Sequence, residues 1–190
     1  MKSNNSKRVA RIMVFVDMLL LITLVLLTMI NPPVDPTIEL RPQAMLTVEW
    51  DDKALSDVDT HIILPNSEHI SYIYKDSGGR VVLTRDDTGA SLDHKGNNID
   101  INVEVTEFFV LEPGEYKVWV RLFSQRDDGP IEVTIRFQTL SPFERYVDKV
   151  VTLEYRTQTI AVVSIHVDDE GKITFVDNDV DYILPASRAS

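Results

Sequence analysis

Residues 116–122 read Tyr-Lys-Val-Trp-Val-Arg-Leu, and residues 131–137 read Ile-Glu-Val-Thr-Ile-Arg-Phe. Apolar side chains recur at every second position: Tyr116, Val118, Val120 and Leu122 in the first, Ile131, Val133, Ile135 and Phe137 in the second. A period of two puts one apolar and one polar face on a strand, the mark of an antiparallel sheet packed on one side. Leu46, Val48 and Trp50 alternate with Thr47 and Glu49 in the same way. Ile101, Val103 and Val105 alternate with Asn102, Glu104 and Thr106, which places Glu104 on the polar face. Trp119 and Phe123 fall on the polar side of their strand, so they mark either a second buried face or a contact patch.

Working outward, further strands are expected near 60–65, 69–74, 80–84, 148–155, 159–167 and 172–176. Glu112-Pro113-Gly114-Glu115 suits a type II turn, and Asp169-Glu170-Gly171 suits a hairpin loop into Lys172. About nine or ten short strands in some 130 residues predict an antiparallel β-sandwich over residues 44–177, followed by a tail at 178–190. No amphipathic helix interrupts the pattern after residue 31.

Upstream, the periodicity disappears. Residues 12–30, IMVFVDMLLLITLVLLTMI, contain sixteen apolar residues in nineteen, and the exceptions are Asp17, Thr23 and Thr28. At about 1.5 Å per residue this helix reaches roughly 28 Å, close to the hydrocarbon thickness of a bilayer. Residues 1–11 carry Lys2, Lys7, Arg8 and Arg11 and no acid, so the positive-inside rule keeps this tail in the cytoplasm. A cleaved signal peptide has a shorter apolar core and a small-residue cleavage site, whereas this run ends in Thr-Met-Ile-Asn-Pro-Pro. Residues 31–43 hold Pro32, Pro33, Pro36 and Pro42, the composition of an extended spacer. It is either a simple stalk or a segment that gates a channel.

Charge divides along the same boundaries. The 190-residue chain has a net charge of -11. The tail contributes +4 and the span one acid, leaving 15 basic and 29 acidic groups to residues 31–190. That acidity argues against general nucleic-acid binding. With no cysteine, the chain has no disulfide, thiolate metal site or cysteine nucleophile. It contains no Gly-x-Ser-x-Gly and no phosphate-binding Gly-Lys-Ser/Thr motif, and it is read as a non-enzyme.

Asp17 is the residue that asks for a function. A carboxylate inside a spanning helix costs on the order of 2.5–3.5 kcal/mol near the centre, less near the interface. Asp17 lies five residues after Ile12, about 7–8 Å into the span. No basic residue lies in the span, so a counter-charge must come from another chain. Thr28 lies on the same helical stripe, where its hydroxyl either joins an ion path or bonds its own backbone.

Together, the basic N-terminus, Phe15-Val16-Asp17-Met18-Leu19-Leu20-Leu21 and an apolar run ending before proline resemble the ExbD, TolR and MotB group of motor subunits. The resemblance covers roughly residues 8–33. It implies a bacterial inner-membrane protein in which Asp17 binds the coupling ion, with Thr28 on the ion path. It also implies a homodimer of such helices inside a ring of multi-span ExbB-, TolQ- or MotA-like subunits. The outer domain does not resemble that group's outer domains. It is similar to an uncharacterised bacterial β-sandwich domain found beside von Willebrand A domains. The likeness rests on Trp50, Asp57-Val58-Asp59-Thr60-His61, Pro65-Asn66, Gly78-Gly79, Arg85-Asp86-Asp87-Thr88-Gly89 and Pro113-Gly114-Glu115-Tyr116, and it brings no activity. The competing function is a membrane-anchored extracytoplasmic binding module.

Acids gather in the loops of the outer domain. Asp57, Asp59, Asp86 and Asp87 form either a calcium site, if their loops converge to supply oxygens, or ordinary acidic loops. His61, His69, His94 and His166 are too scattered to suggest zinc. The segment 85–98 is long for a hairpin loop, and Arg85, Asp93 and His94 in it are candidates for partner contact.

Overall fold

A computed structural model describes residues 2–30, 41–89, 101–180 and 183–184, with side chains described for residues 7–27 of the first segment. It divides the chain into two units, Met1–Glu39 and Leu40–Ser190. The spacer at 31–40 and the loop positions Asp93 and His94 lie outside the described residues.

The first unit contains one helix, α1 (Lys2–Ile30). Residues 7–27 are exposed along its whole length and have a mean hydropathy of 2.5, so the helix is long and apolar enough to cross a membrane. The hydroxyl of Thr23 donates to the Leu19 carbonyl one turn back at 2.8 Å, which satisfies it without a partner chain.

The second unit is a β-sandwich of two five-stranded antiparallel sheets. Its strands are β1 (Ala44–Trp50), β2 (Asp57–Ile63), β3 (His69–Ile70), β4 (Val81–Arg85) and β5 (Val103–Phe108). They continue as β6 (Gly114–Ser124), β7 (Ile131–Leu140), β8 (Phe143–Leu153), β9 (Thr159–Val167) and β10 (Ile173–Asp177). One sheet has the order β4-β5-β1-β7-β8 and the other β10-β9-β6-β2-β3. The expected strand at 69–74 shrinks to two residues, because Lys75 and Asp76 leave β3 to pair with β4 of the opposite sheet.

The alternating residues do what their period requires. Ala44, Leu46, Val48 and Trp50 are buried, as are Val133, Ile135 and Phe137 beside them and Tyr116, Val118, Val120 and Leu122 from the other sheet. Each such side chain contributes about 1.5–3 kcal/mol by leaving water. Phe108 meets Tyr116 and Phe137 edge-on, with ring centroids 5.9 and 5.4 Å apart, which joins the sheets at the centre. The Tyr116 hydroxyl accepts from the Glu112 N–H at 2.7 Å and donates to the Glu112 carbonyl at 3.1 Å, pinning the entry to β6. Gly171, with φ 77°, closes the β9–β10 hairpin as expected.

Two features depart from the simple two-face pattern. Trp119 is buried on the face of β6 opposite the core, opposite His61 in register, so that face is covered here. Phe123, further along, is partly exposed and packs against Tyr72 at 5.5 Å. On β5 the expected faces are reversed. Asn102, Glu104 and Thr106 are buried in line with Phe108, while Val103 and Val105 are half-buried and Ile101 is exposed. Phe108 sets this parity by entering the aromatic core, and Asn102 is held inside by donating to the carbonyls of Asp51 and Ala54.

Candidate functional site

The reversal of β5 brings a carboxylate into the sandwich. β3 pairs with β2 only at Ile62 and Ile63, so the upstream edge of β2 has no neighbouring strand on that side among the described residues. There the Thr60 N–H donates to Glu104 Oε2 at 2.6 Å. The Glu104 side chain, 1% exposed, thus crosses from one sheet to the open edge of the other.

Asp59 of β2, Asp86 just after β4 and Glu104 converge there, each offering an oxygen within 4.8 Å of the others. Asp59 Oδ2 and Oδ1 of the neighbouring Asp57 are buried and have no hydrogen-bond partner, whereas Glu104, besides accepting from Thr60, shares a carboxyl–carboxylate hydrogen bond with Asp86. Burial raises the three buried acids, Glu104, Asp59 and Asp57. Glu104 is held well above the usual carboxylate range by burial, to which the charges of Asp59 and Asp86 add. Burial and the charges of Asp57 and Asp86 push Asp59 up to about 7, and burial with Asp86 pushes Asp57 up to about 6. Three clustered carboxylates in a dry interior require shared protons or a cation.

The positive charges around them are distributed unevenly. Lys75 Nζ pairs with Asp86 Oδ2 at 2.6 Å from an exposed position. Arg121 acts on Asp59 and Arg126 on Asp57. Asp87 stands apart from the trio: its Oδ1 accepts the Gly89 N–H at 3.0 Å, and its Oδ2 accepts from Arg85 at 2.9 Å. Arg85 also donates to the Ile101 carbonyl at 2.8 Å, so it joins two described positions on either side of the undescribed stretch 90–100. Gly89 approaches the Ser56 carbonyl so closely, at φ 74°, that a β-carbon would sit 2.1 Å from that oxygen.

Next to the acids, His61 Nδ1 and His69 Nε2 share a hydrogen bond of 2.9 Å. Burial and the charge of His69 lower His61 to about 4, so the imidazole is neutral at physiological pH. His166 lies elsewhere, against Ser164 and Phe175. An open groove of about 850 Å³ is lined in part by Asp51, Asp52, Asp127 and Asp128. Asp51 there accepts the Lys53 N–H of its own turn, while Asp52 accepts the Asn102 N–H and Asp127 the Leu55 and Ser56 N–H groups, tying distant segments together.

No protein-family model, curated protein or solved structure matches this chain. The likeness to ion-driven motor subunits therefore rests on the residues around Asp17. In the structure Asp17 lies on α1, inside the candidate span and exposed, and no other charged residue lies between Arg11 and Leu27. Thr28 belongs to the same helix, and its side chain is outside the described residues.

Of the four acids that the sequence offers either as a calcium site or as ordinary acidic loops, Asp59 and Asp86 come together, Asp57 lies beside them, and Asp87 is engaged with Arg85. Glu104 completes the group and was not among the four. The sequence signal that could have found it is its even spacing from Phe108, the largest apolar residue of that strand.

Proposed function

We propose that this chain is a single-span subunit of an ion-driven complex in the bacterial inner membrane. Asp17 takes up and releases the coupling ion, a proton, and the outer β-sandwich transmits the resulting movement. The observation that carries this reading is a lone carboxylate on an otherwise apolar helix without any cation in the span. A plain anchor gains nothing from such a group and bears its insertion cost.

The chemistry suits proton coupling. A low-dielectric setting favours a neutral carboxyl, and a polar cavity favours the anion. Alternate exposure of Asp17 to the two sides of the membrane would load and unload a proton. Each charge crossing about 100 mV supplies roughly 2.3 kcal/mol. The acid needs a surrounding surface, which a ring of multi-span subunits of the ExbB, TolQ or MotA type would provide around two copies of α1. The N-terminal tail then lies in the cytoplasm and the sandwich in the periplasm.

The test is purification of the full chain from native membranes, followed by reconstitution into vesicles and measurement of proton flux with a pH-sensitive dye. A multi-span protein should copurify with both wild type and Asp17→Asn, and only wild type should pass protons. Equal flux in Asp17→Asn, or a chain that purifies without any membrane partner, would favour the anchored binding module instead.

A further inference from the structure

The acid trio has no part in ion passage through the membrane, yet it is the most costly arrangement in the outer domain. Asp59, 3% exposed, leaves one carboxylate oxygen without a partner, and Glu104, 1% exposed, meets a second carboxylate, Asp86, in a hydrogen bond that needs a shared proton. Asp57, which lies outside the trio, adds an independent sign. It is 6% exposed, its Oδ1 is also unpartnered, its charge acts on Asp59, and the charge of Asp86 acts on it. A buried acceptor without a donor is normally eliminated or satisfied, and here two such oxygens stand beside the Asp86–Glu104 carboxylate pair in one neighbourhood.

Charge and spacing point to what would satisfy them. The carboxylates of Asp57, Asp59, Asp86 and Glu104 face Lys75, Arg121 and Arg126, while Asp87 and Arg85 neutralise each other. The cluster is thus short of positive charge. Its donors are all oxygen, the preference of hard divalent cations and not of zinc or copper. Calcium takes ligands at 2.3–2.6 Å, so opposite oxygens stand up to about 5.2 Å apart, and the three oxygens here all lie within 4.8 Å of one another. Asp86, 17% exposed at its side chain and paired on its outer side with the half-exposed Lys75, provides the way in from solvent.

We propose that Asp59, Asp86 and Glu104 hold a calcium ion. Asp57 supports the site from beside it, and carbonyl or water oxygens complete the six to eight ligands calcium takes. The ion bridges the two sheets, because Asp59 belongs to β2 of one and Glu104 to β5 of the other, with Asp86 following β4. It therefore clamps the sandwich where the short β3 leaves the β2 edge unpaired.

The experiment uses the full chain in detergent, stripped with EDTA, with equilibrium dialysis against radioactive calcium at pH 7.5. Thermal melting is followed by the fluorescence of Trp50 and Trp119. One calcium per chain is expected, with a Tm increase of about 5–10 °C when calcium is 100-fold above Kd. Asp86→Asn and Glu104→Gln should weaken calcium binding by tenfold or more. Glu104→Gln tests the buried ligand, and Asp86→Asn, at a partly exposed position, decides the matter if the first variant does not fold. The proposal is overturned if wild type retains no calcium up to about 5 mM, beyond the weakest extracellular modules. It is equally overturned if a folded Asp86→Asn binds calcium like wild type, or if magnesium or zinc binds more tightly than calcium.

Discussion

Replacing Asp59 by asparagine should stabilise the ion-free sandwich at alkaline pH and do so far less in acid. Burial, with the charges of Asp57 and Asp86, pushes the native carboxyl up to about 7 from 3.8. Between those values the native state binds more proton than the unfolded chain, so this group's contribution to stability falls as pH rises through that window. From pH 5 to pH 8 the native carboxyl loses its proton while the unfolded one is already ionised. About two pH units of that window lie below the native value, and at about 1.36 kcal/mol per unit this amounts to about 2–3 kcal/mol. His61 works in the opposite direction: a native value near 4 makes its contribution grow as pH rises towards 6.5. Since wild type and variant share His61, its contribution largely cancels, and the difference between them reads Asp59 together with its coupling to Asp57 and Glu104. The assay is urea unfolding of both proteins in EDTA at pH 5 and pH 8, read from Trp50 and Trp119, which are both buried in the sandwich. The stability gap in favour of Asp59→Asn should widen by about 2–3 kcal/mol at the higher pH. A gap that stays constant, or narrows, would refute the account of Asp59 as a carboxylate held in a dry, negatively charged site.

Two further outcomes test the frame around that site. Tyr116→Phe should cost about 1–3 kcal/mol in the same unfolding assay, because it leaves the Glu112 N–H and carbonyl without their shared partner. Gly89→Ala should cost a similar amount, about 1–3 kcal/mol, since a β-carbon there collides with the Ser56 backbone at a positive φ; unchanged stability would mean that the loop can shift away.

The legibility of the chain followed from which interactions are local. Tyr116 to Leu122 and Ile131 to Phe137 announce strands because a strand's two faces depend only on neighbours two residues away. The apolar run around Asp17 is equally readable, since crossing a bilayer requires length and hydrophobicity in one continuous piece. The hairpin at Gly171 needed only its own residues. In the acidic loops, Asp57, Asp59 and Asp86 drew attention by their density, which is a property of composition.

The face presented by β5 was a matter for the tertiary structure. Val103 and Val105 argue for one side and Phe108 for the other, and alternation alone cannot choose between them. The choice is made by Tyr116 and Phe137, which come from elsewhere in the chain and receive the Phe108 ring. Asn102 confirms it by bonding carbonyls some fifty residues upstream, at Asp51 and Ala54. Once that parity is set, Glu104 must enter the interior and meet the open edge of β2, where Asp59 and Asp86 already crowd. By itself the sequence determined an apolar helix, long enough to cross a membrane and carrying one acid, and an antiparallel sandwich, because both are written in local period and composition. The gathering of Asp59, Asp86 and Glu104 depended on long-range packing of aromatic rings, which no local pattern contains.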